Sequence, residues 1–465
     1  MGVSDEGRRG IGAETDGEAR ATWPVVDLFS GCGGLSYGFH ARAPFRVVAA
    51  VDAEHGKPAD GGGKLDCNGT YAANIGVTPL LTDISSLDSS LLLEAAAAER
   101  GRPLQRGELV ALLCSPPCTD FSRAKPMNHL VDTAKNSLVV KCAEFAEALY
   151  PEFVVMENAR EVIIGNNSHH YREFAKRLIG LGYEVDGRVH MLTAYGLPQL
   201  RERALVVASR IGAVRTLEDL WAGWEVDEAA LTVRHAIGEG RFPPLKAGGA
   251  DPHDPQHQCP GFGSDIVRRR MEAVPRDGGS WYDIAGHPHA AELLIGSMKD
   301  RLARNDLGSH GDVYGRLAWD RPAMTIKREC AHVGNGRYSH PEQARLLTVR
   351  EMSMLQGFPR DYDFVASSLA NRYRHIGDAV PPMISYQLSA LIAWMKTGRR
   401  PVPEEWVLDG TSLRSQDIRA ARVRARDASL FVATADTTLG YACGTHSSAP
   451  RVWRAARHSP RRSGG

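Results

Sequence analysis

The chain has 465 residues, of which 43% are hydrophobic and 24% charged, and its 56 basic and 55 acidic side chains leave a formal charge of +1. This composition is typical of a globular protein long enough for two or three domains, and it excludes a collagen-like, a wholly disordered or a disulfide-knotted chain. Because affinity for nucleic acid comes largely from basic groups, the balanced charge also excludes a general polyanion binder and requires any nucleic-acid surface to be local.

Two features predict where the protein works. Its apolar stretches fall far below the ~18 residues that a membrane span needs, and its N-terminal segment lacks the apolar core of a secretory signal. Its eight cysteines are scattered without a CxxC pair, which is typical of reduced thiols rather than of a disulfide framework. We therefore predict a cytoplasmic protein that does not contact membranes, in which a special cysteine is catalytic rather than structural.

In chain order, residues 1–22 lack hydrophobic periodicity and are expected to be disordered. Over residues 23–210, short β-branched runs alternate with helical patterns, which indicates a parallel sheet covered on both faces. The predicted strands are Val25–Phe29, Arg46–Asp52, Leu109–Cys114, Phe153–Glu157 and Ala204–Ala208. The predicted helices between them are Leu87–Arg100, Lys135–Leu149 and His169–Leu181. The fold class is α/β, with a doubly wound, mostly parallel sheet.

The rest of the chain divides into three parts. Residues 211–340 are rich in Gly, Pro and His without a clean period and are expected to form a smaller, irregular domain. Helical patterning resumes over residues 341–400, at Thr348–Leu355 and Met383–Lys396, where the chain is expected to return to the first domain. Residues 410–465 are rich in arginine and are expected to form a basic, flexible tail.

The first predicted strand runs into a glycine-rich turn, DLFSGCGGLSYGF. Gly31, Gly33 and Gly34 follow the strand and open a helix, where a nucleotide-like ligand can approach the backbone closely. Asp52 ends the second strand and can accept from ribose hydroxyls, and Asp83 can lie beside an adenine edge. The spacing is not GxGxxG, and a tight turn alone would explain the glycines. The carboxylate that ends the next strand favours a nucleoside-containing cofactor.

A cysteine stands in a rigid loop after the strand Leu109–Cys114. Pro116 and Pro117 fix their own φ angles and hold Cys118 at the carboxyl end of that strand. A lone cysteine is usually a small buried hydrophobe, and Cys114 is expected to be one. Cys118 is better placed to act as a nucleophile, because a nearby positive charge or base makes its thiolate available.

Further along the chain, two groups of polar residues lie at strand ends. Glu157 and Asn158 close an apolar strand at the same sheet edge as Cys118, where partial desolvation favours a protonated carboxyl group. A helix cap is the alternative for this pair. Gln199, Arg201 and Arg203 alternate before the last strand, which predicts that both arginines share one face and meet one anionic or electron-rich site. Two solvated arginines are the alternative.

Together these residues resemble a known family. The ordered segments DLFSGCGG, SPPCTDFS, MENA, QLRER, REMSMLQGFPRDY and GDAVPP resemble those of the DNA cytosine-5 methyltransferases. The resemblance extends over about residues 24–397, and the Pro-Pro-Cys loop with the strand-end glutamate is its most specific part. It implies a methyltransferase fold with a smaller target-recognition domain at residues 211–340.

The resemblance also implies roles for individual residues. Cys118 would add to C6 of a cytosine, Glu157 would hold N3 and the exocyclic amine, and Arg203 would assist at the base carbonyl and stabilise the thiolate. Gln199 and Arg201 would shape the catalytic loop, and Asn158 would belong to the same catalytic set. S-adenosylmethionine would be held by Phe29, Ser30, Gly31, Gly33, Gly34, Asp52, Asp83, Pro116, Asp378 and Ala379.

Such a reaction requires the base to leave the helix, because a stacked cytosine cannot meet both the cysteine and the methyl donor. Within the predicted recognition domain, Arg268–Arg270 and the pair Lys327 and Arg328 are the basic clusters expected to touch phosphate. His253, His257 and Cys259 lie close together, but their spacing matches no zinc module, so we expect a structural loop and no metal.

The chain departs from the family pattern at three places. Ala159 replaces the usual Val, Asp378 replaces the usual Asn, and residues 55–66 form a glycine-rich insertion. None of these changes removes a catalytic group. Asp378 adds a carboxylate near the methionine end of the cofactor, where it can alter cofactor binding.

Four functions therefore compete. The first is sequence-specific methylation of duplex DNA by a monomer, with a cognate restriction endonuclease as a further partner. The second is the same chemistry on RNA. The third is a catalytically silent DNA-binding relative, which would have no need to retain Cys118, Glu157 and Arg203. The fourth is a nicotinamide-dependent oxidoreductase, which the glycine spacing disfavours and which leaves Cys118 without a role.

Overall fold

The computed structural model describes residues 22–56, 63–117, 136–238, 240–306 and 311–421. The strands of this part of the chain are β1 (Trp23–Leu28), β2 (Phe45–Asp52), β3 (Leu80–Leu81), β4 (Ala111–Cys114), β5 (Phe153–Asn158), β6 (Glu184–Met191), β7 (Gln199–Leu200), β8 (Glu202–Ser209), β9 (Trp224–Val226), β10 (Ala323–Met324) and β11 (Ile418–Ala420).

The α-helices of the same part of the chain differ widely in length, from a single turn to four turns. They are α1 (Gly34–His40), α2 (Cys67–Ile75), α3 (Ser89–Arg100), α4 (Leu138–Leu149), α5 (Glu161–Ile164), α6 (His169–Gly180), α7 (Leu217–Leu220), α8 (Val233–Ile237), α9 (Asp265–Ala273), α10 (Ala290–Leu293), α11 (Gly296–Ala303), α12 (Val349–Leu355), α13 (Leu369–Asp378) and α14 (Pro382–Thr397). None of the helices described is long and apolar enough to cross a bilayer.

Seven strands form the central sheet, in the order β3-β2-β1-β4-β5-β8-β6. The strands from β3 to β5 run parallel, whereas β8 is antiparallel to both β5 and β6. The chain moves outward from β1 to β2 and β3, and then returns to place β4 on the other side of β1. The carboxyl ends of β1 and β4 therefore flank the switch point at which ligands bind in sheets of this kind.

Side chains alternate between the two faces of the sheet, and each face carries its own core. Val25 and Leu113 pack with residues of α1 and α14 on one face. Val26 and Leu112 pack with residues of α4 and α6 on the other. This double burial explains why the strands are almost continuously apolar, and it confirms the predicted α/β, doubly wound class.

Each of the five predicted strands is present, with ends displaced by at most two residues. The edge strand β6 was missed because most of its residues are partly exposed and polar, so it lacks an apolar run. Strand direction was also invisible in the sequence. Residues Ala204–Ser209 of β8 are buried like those of β5, yet β8 runs antiparallel beside β5.

The boundaries of the second unit differ from the prediction. Residues 217–231 pack into the core shared with α1 and α14 rather than into a separate domain. Helices α12 and α13, expected to return to the sheet, instead join a third core built mostly from residues 233–379. Only α14 returns. The helical period locates an apolar stripe, but it does not say which surface that stripe covers.

The flexible tail was predicted to begin at residue 410, but the ordered structure continues beyond that residue. Leu413 and Ile418 are buried in the same core as α14, and β11 pairs antiparallel with β9. A few apolar side chains among the arginines are enough to bring this segment back onto the sheet domain. Residues 422–465, like residues 1–21, lie outside the part of the chain that the structure describes.

A buried ion pair fixes the third core. The guanidinium of Arg345 donates two hydrogen bonds to the carboxylate of Glu351, at 2.7 and 2.8 Å, and both side chains are almost fully buried. Glu351 also accepts from the backbone of Thr348 and so caps the start of α12. Burial alone would raise the pKa of Glu351, but the bonds from Arg345 outweigh it and lower that pKa to about 2.

We expect Glu351→Gln to lower the free energy of unfolding by about 3 kcal/mol, because it leaves the Arg345 charge buried without a partner. Urea denaturation measures this change, and Glu225→Gln, at an exposed ion pair with Arg419, should leave the midpoint close to that of the unaltered protein. Because the pKa of Glu351 is depressed from 4.5, its contribution should be complete above about pH 4.5 and lost as the pH falls towards 2. Equal losses in both variants would contradict the assignment.

Candidate active site

The turn after β1 has a backbone that few residues adopt without strain. Phe29, Gly31 and Gly33 all have left-handed φ angles, of 62°, 51° and 94°. Two hydrogen bonds hold the turn against β2: Ser30 N donates to Val51 O, and Gly31 N donates to Asp52 Oδ2, both at 2.9 Å. Strain held in place at a sheet's switch point is characteristic of ligand sites.

The three glycines of the turn serve different purposes. A β-carbon on Gly31 would meet nothing within 4 Å, so this residue faces open space. A β-carbon on Gly33 would crowd Tyr362 and Tyr71, and one on Gly34 would lie 2.2 Å from Val380 O. Gly34, expected to admit the cofactor, therefore makes room for the chain after α13. Of the three glycines, Gly31 is the one at which an added β-carbon would meet open space.

We expect Gly34→Ala to lower the melting temperature by several degrees, because its methyl group cannot fit beside the Val380 carbonyl. Gly212→Ala is the matched control, since a β-carbon there meets nothing within 4 Å. Scanning calorimetry of both variants makes the comparison. If Gly34→Ala weakened only ligand binding and left the melting temperature unchanged, Gly34 would belong to the ligand site after all.

The space beside Gly31 suits a polar ligand. The hydroxyl of Ser30 is buried, and among the described residues it has no hydrogen-bond partner. A buried hydroxyl without a partner is costly, and a bound ligand would satisfy it. Asp52 at the end of β2 is only partly buried, and besides Gly31 N its carboxylate accepts from Glu54 N at 2.6 Å. These groups could bind the hydroxyls of a sugar-containing ligand.

Asp83 follows β3 at the same edge of the sheet. Its carboxylate accepts from Ser85 and lies 3.0 Å from the Nε2 of His55. The bonds from Ser85, and then the one from His55, lower the pKa of Asp83 to about 2, so it is an ionised acceptor at neutral pH. The pairing with His55 has no signal in the sequence, because His55 belongs to what reads as a glycine-rich insertion.

Further candidate site residues lie where β4 and β5 end. Ser115 Oγ donates to Phe29 O at 2.9 Å, which joins the loop after β4 to the turn after β1. The amide of Asn158 donates to Pro116 O at 3.0 Å, and both residues are buried. Pro116 therefore anchors the base of the loop that carries Cys118. Cys118 itself lies outside the residues that the structure describes.

Glu157 is buried beside Asn158 and has a cationic neighbour. Its Oε1 lies 2.9 Å from Nε of Arg203, and the two side chains are 10% and 16% exposed. The pairing follows from the antiparallel register of β5 and β8, in which Glu157 stands opposite Leu205. Glu157 therefore has an ionic partner that its expected role as a desolvated acid did not include.

The prediction that Arg201 and Arg203 meet one site is wrong. Arg201 is only 1% exposed, and its guanidinium donates to Ile326 O and Ala379 O at 3.0 and 3.1 Å. Strand β7 stops at Leu200 and β8 starts at Glu202, so the alternation of one strand does not apply across the break. Arg201 ties the sheet to the second unit, whereas Arg203 reaches Glu157.

Gln199 has a similar connecting role. Its side chain is fully buried. The amide Nε2 of Gln199 donates to Gln356 Oε1 at 2.7 Å, and its Oε1 accepts from Ile326 N at 3.0 Å. Gln356 in turn donates to Ala379 O. Gln199 and Ala379 therefore position the unit that faces the sheet's carboxyl edge.

Asp378 lies at the end of α13 and pairs with Arg328 at 3.0 Å. Burial raises the pKa of Asp378 to about 6, against the opposing effect of Arg328, yet its side chain remains 36% exposed. Arg328, expected to touch phosphate, is instead paired with Asp378 in this structure.

The other basic cluster is also engaged within the protein. Arg268 pairs with Asp265 and Glu272, and Arg269 pairs with Glu292. Arg270 is 3% exposed and donates to Leu293 O. Two of the three charges are thus matched by acids on α9 and α10 and the third is buried against a carbonyl, so the expected contact of this cluster with phosphate is not supported.

The loop with the histidines is held by hydrogen bonds. His257 is fully buried between Thr348 Oγ1 and Pro243 O, at 3.0 and 2.9 Å, and Cys259 Sγ donates to Lys246 O. Within the described ranges, no three His, Cys, Asp or Glu side chains are grouped as metal ligands.

A doubly wound sheet whose switch point joins a strained glycine turn to two carboxylates defines an α/β enzyme that binds a nucleoside-type cofactor. Comparison with known proteins gives the family. Residues 24–230 and 278–393 match the profile of the C-5 cytosine-specific DNA methylases. The chain belongs to this family and is a DNA (cytosine-5)-methyltransferase, which confirms the resemblance in its motifs.

Individual relatives agree with this family assignment. The chain is 30% identical to the type II methylase M.HgiDII of Herpetosiphon aurantiacus, over 77% of this chain and 91% of that protein. It is 27% identical to the type II methyltransferase M1.HphI of Haemophilus parahaemolyticus, over 80% and 87%. A crystal structure of a prophage-encoded DNA modification methyltransferase of E. coli has the same fold, with a TM-score of 0.53, 19% identity, and coverage of 81% of this chain and 99% of that one.

Proposed function

We propose that this enzyme moves a methyl group from S-adenosylmethionine to C5 of a cytosine flipped out of duplex DNA, through a covalent bond between Cys118 and C6. The observation that carries the proposal is the junction of β4 and β5. There the amide of Asn158 binds Pro116 O, two residues before Cys118, and Glu157 lies next to Asn158. A nucleophile loop is thereby tethered beside a buried acid.

The cofactor would lie along the carboxyl ends of β1, β2 and β3. Gly31 leaves open space for it, the buried Ser30 hydroxyl offers an unused donor, and Asp52 and Asp83 offer carboxylates to ribose and to the adenine amine. Phe29 would stack on the adenine. When bound, S-adenosylmethionine supplies an electrophilic methyl group.

The residues of the chain do the remaining chemistry. Addition of the Cys118 thiolate to C6 breaks the C5–C6 double bond and makes C5 nucleophilic, and loss of the C5 proton followed by departure of the thiolate restores the ring. Glu157 holds N3 and the exocyclic amine while charge develops on the base, and Arg203 holds Glu157 in place and reaches the base carbonyl. Gln199 and Arg201 hold the facing unit in register.

The wider role follows from the relatives. Their type II names favour a host-protection activity in restriction and modification, with a cognate endonuclease as partner and one short recognition sequence. We propose that the enzyme acts as a monomer on DNA in the cytoplasm. Residues of the second unit, between Val233 and Ala379, would face the flipped base and its neighbours.

Bisulfite sequencing tests this proposal. DNA from a host that lacks cytosine-5 methylation should acquire the mark at one short sequence when the protein is expressed, and not when Cys118→Ala is expressed. Purified protein with labelled methyl donor should label duplex DNA and leave transfer RNA unlabelled. Label in RNA alone would replace the proposal by the RNA alternative, and no label in either would favour a silent relative.

A further inference from the structure

We propose that a group of arginines at the amino edge of the central sheet, opposite the candidate active site, binds the phosphate backbone of duplex DNA as a second contact that does not depend on base sequence. This amino-edge patch consists of Arg106, Arg210, Arg215 and Arg400. The balanced charge of the chain requires any nucleic-acid surface to be local, and the predicted cluster Arg268–Arg270 is engaged within the protein. The proposal concerns a different surface from the methyl-transfer site and does not depend on that reaction.

The patch lies where the parallel strands begin. Arg106 precedes β4, and Arg210 directly follows β8, whose last residue stands opposite the first residue of β5. The end of α14 reaches the same edge, because Lys396 Nζ lies 5.5 Å from the ring centroid of Trp23, the first residue of β1. The candidate active site is at the carboxyl ends of these strands, so the length of the sheet separates the two surfaces.

Two aromatic rings hold the four guanidiniums in pairs. The ring centroid of Tyr150 lies 4.3 and 4.5 Å from the Cζ atoms of Arg106 and Arg210. The ring centroid of Trp394 lies 4.2 and 5.5 Å from the Cζ atoms of the other two. Two cations that share one ring repel each other, and a bound polyanion would relieve that repulsion. The rings also restrict the guanidiniums before any ligand arrives, which lowers the entropy cost of binding.

The two pairs belong to one continuous surface. Arg210 N donates to Glu152 O at 3.1 Å, and the carboxylate of Glu152 accepts from Lys396 Nζ at 2.5 Å. Lys396 stands two residues beyond Trp394 on α14, and Trp394 carries Arg215. The patch therefore extends without a break from the loop before β4 to the end of α14.

The patch keeps charge and hydrogen-bond donors that the described residues do not use. None of its four arginines forms an ion pair within the described ranges; their polar contacts there are to carbonyl groups. Arg215 is exposed, and its side chain donates no hydrogen bond to the part of the chain that the structure describes. Arg106 and Arg400 are also exposed, and Arg400 donates through Nη2 alone. Free guanidinium edges match the oxygens of a phosphate group.

Helix capping explains only part of this arrangement. Arg106 binds a carbonyl in the last turn of α4, and Arg400 binds carbonyls at the end of α7, where cations are favourable. Arg210 is half-buried against three carbonyls, so its role is to support the ring of Tyr150. Capping gives no role to Arg215. It also does not require two cations on each ring.

The test removes charge from the patch and, in a matched control, the same charge from paired arginines of the same edge. Arg106→Gln combined with Arg215→Gln removes two patch charges. Arg102→Gln combined with Arg399→Gln is the control, because these exposed arginines pair with carboxylates. Both double variants lower the net charge of the protein by the same amount, so a general electrostatic effect would appear in both.

Fluorescence anisotropy of the full-length protein, with a short labelled duplex of A·T pairs only, measures the binding. The unaltered protein should bind one duplex in the cleft and another at the patch. In the patch variant one of these events should weaken about tenfold, and the slope of log K against log salt for that event should fall by about 2. The control should stay within about twofold of the unaltered protein.

Both binding events persisting in the patch variant, or equal losses in the two double variants, would overturn the proposal. Competition by polyglutamate without any duplex at the patch would also overturn it, in favour of an acidic protein partner. Methyl transfer to saturating cytosine-containing duplex should be equal in all three proteins. Its absence from all three would refute the proposed function and leave the duplex titration as a separate result.

Discussion

Replacing Cys118 with alanine should abolish methyl transfer, with a loss of at least about 10³-fold in single-turnover rate. Without the thiolate, C6 has no nucleophile and C5 remains too electron-poor to accept a methyl group. Because no cofactor contact is assigned to Cys118, the affinity for S-adenosylmethionine should stay close to that of the unaltered enzyme. Labelled methyl transfer and equilibrium dialysis on the same preparation measure both quantities.

A trapping experiment identifies the bond itself. Duplex DNA in which 5-fluorocytosine replaces cytosine should form an adduct that survives denaturing electrophoresis, because fluorine cannot leave as a proton does. The adduct should be absent with Cys118→Ala. Substantial turnover by that variant, or an adduct that persists in it, would refute Cys118 as the nucleophile.

The second large effect is expected from Glu157→Gln, which should slow the chemical step by about 10²-fold or more. Glutamine keeps the size of the side chain but cannot hold the proton that balances charge on the base. It also removes the partner of Arg203, which lies 2.9 Å away in the present structure. Rapid-quench kinetics with saturating DNA separates this effect from weaker binding.

Glu202→Gln provides the comparison for Glu157. Glu202 is at the start of the neighbouring strand β8 and pairs with Arg160 at 2.6 Å, away from the Glu157 carboxylate. Loss of the Glu202 carboxylate should change the rate of the chemical step by less than about threefold, because half-exposed ion pairs contribute little. Should the two variants behave alike, Glu157 would have only a positioning role.

The parts of the fold that sequence analysis predicted are those with a local signal. Buried strands such as β2 and β5 are almost continuously apolar, and the carboxylates at their ends, Asp52 and Glu157, stand out by contrast. The same rule accounts for what was missed. β6 is polar because it lies at the edge, and the assignment of α12 and α13 to a third core depends on surfaces that only the folded chain presents.

Long-range polar contacts at the site had no signal of this kind. Arg201 meets a carbonyl 178 residues away, and Arg328 meets one 273 residues away. Side-chain type predicts that an arginine will find acceptors, but not which of several hundred carbonyls will be nearest. Carboxylates at strand ends could be predicted because the parallel sheet gathers them at one edge. Their cationic partners come from loops whose paths the sequence does not specify.

The third core has a consequence for exchanging parts between related enzymes. Although residues 233–379 build most of it, Cys32, Leu65 and Cys67 from the sheet side are buried within the same cluster. A chimaera that imports a foreign segment between α8 and α13 would set unfamiliar side chains against these three. A chimaera that exchanges this segment should therefore also exchange the contacting residues of the glycine turn and of α2. Without them, we expect poor packing directly beneath the turn that borders the proposed cofactor space.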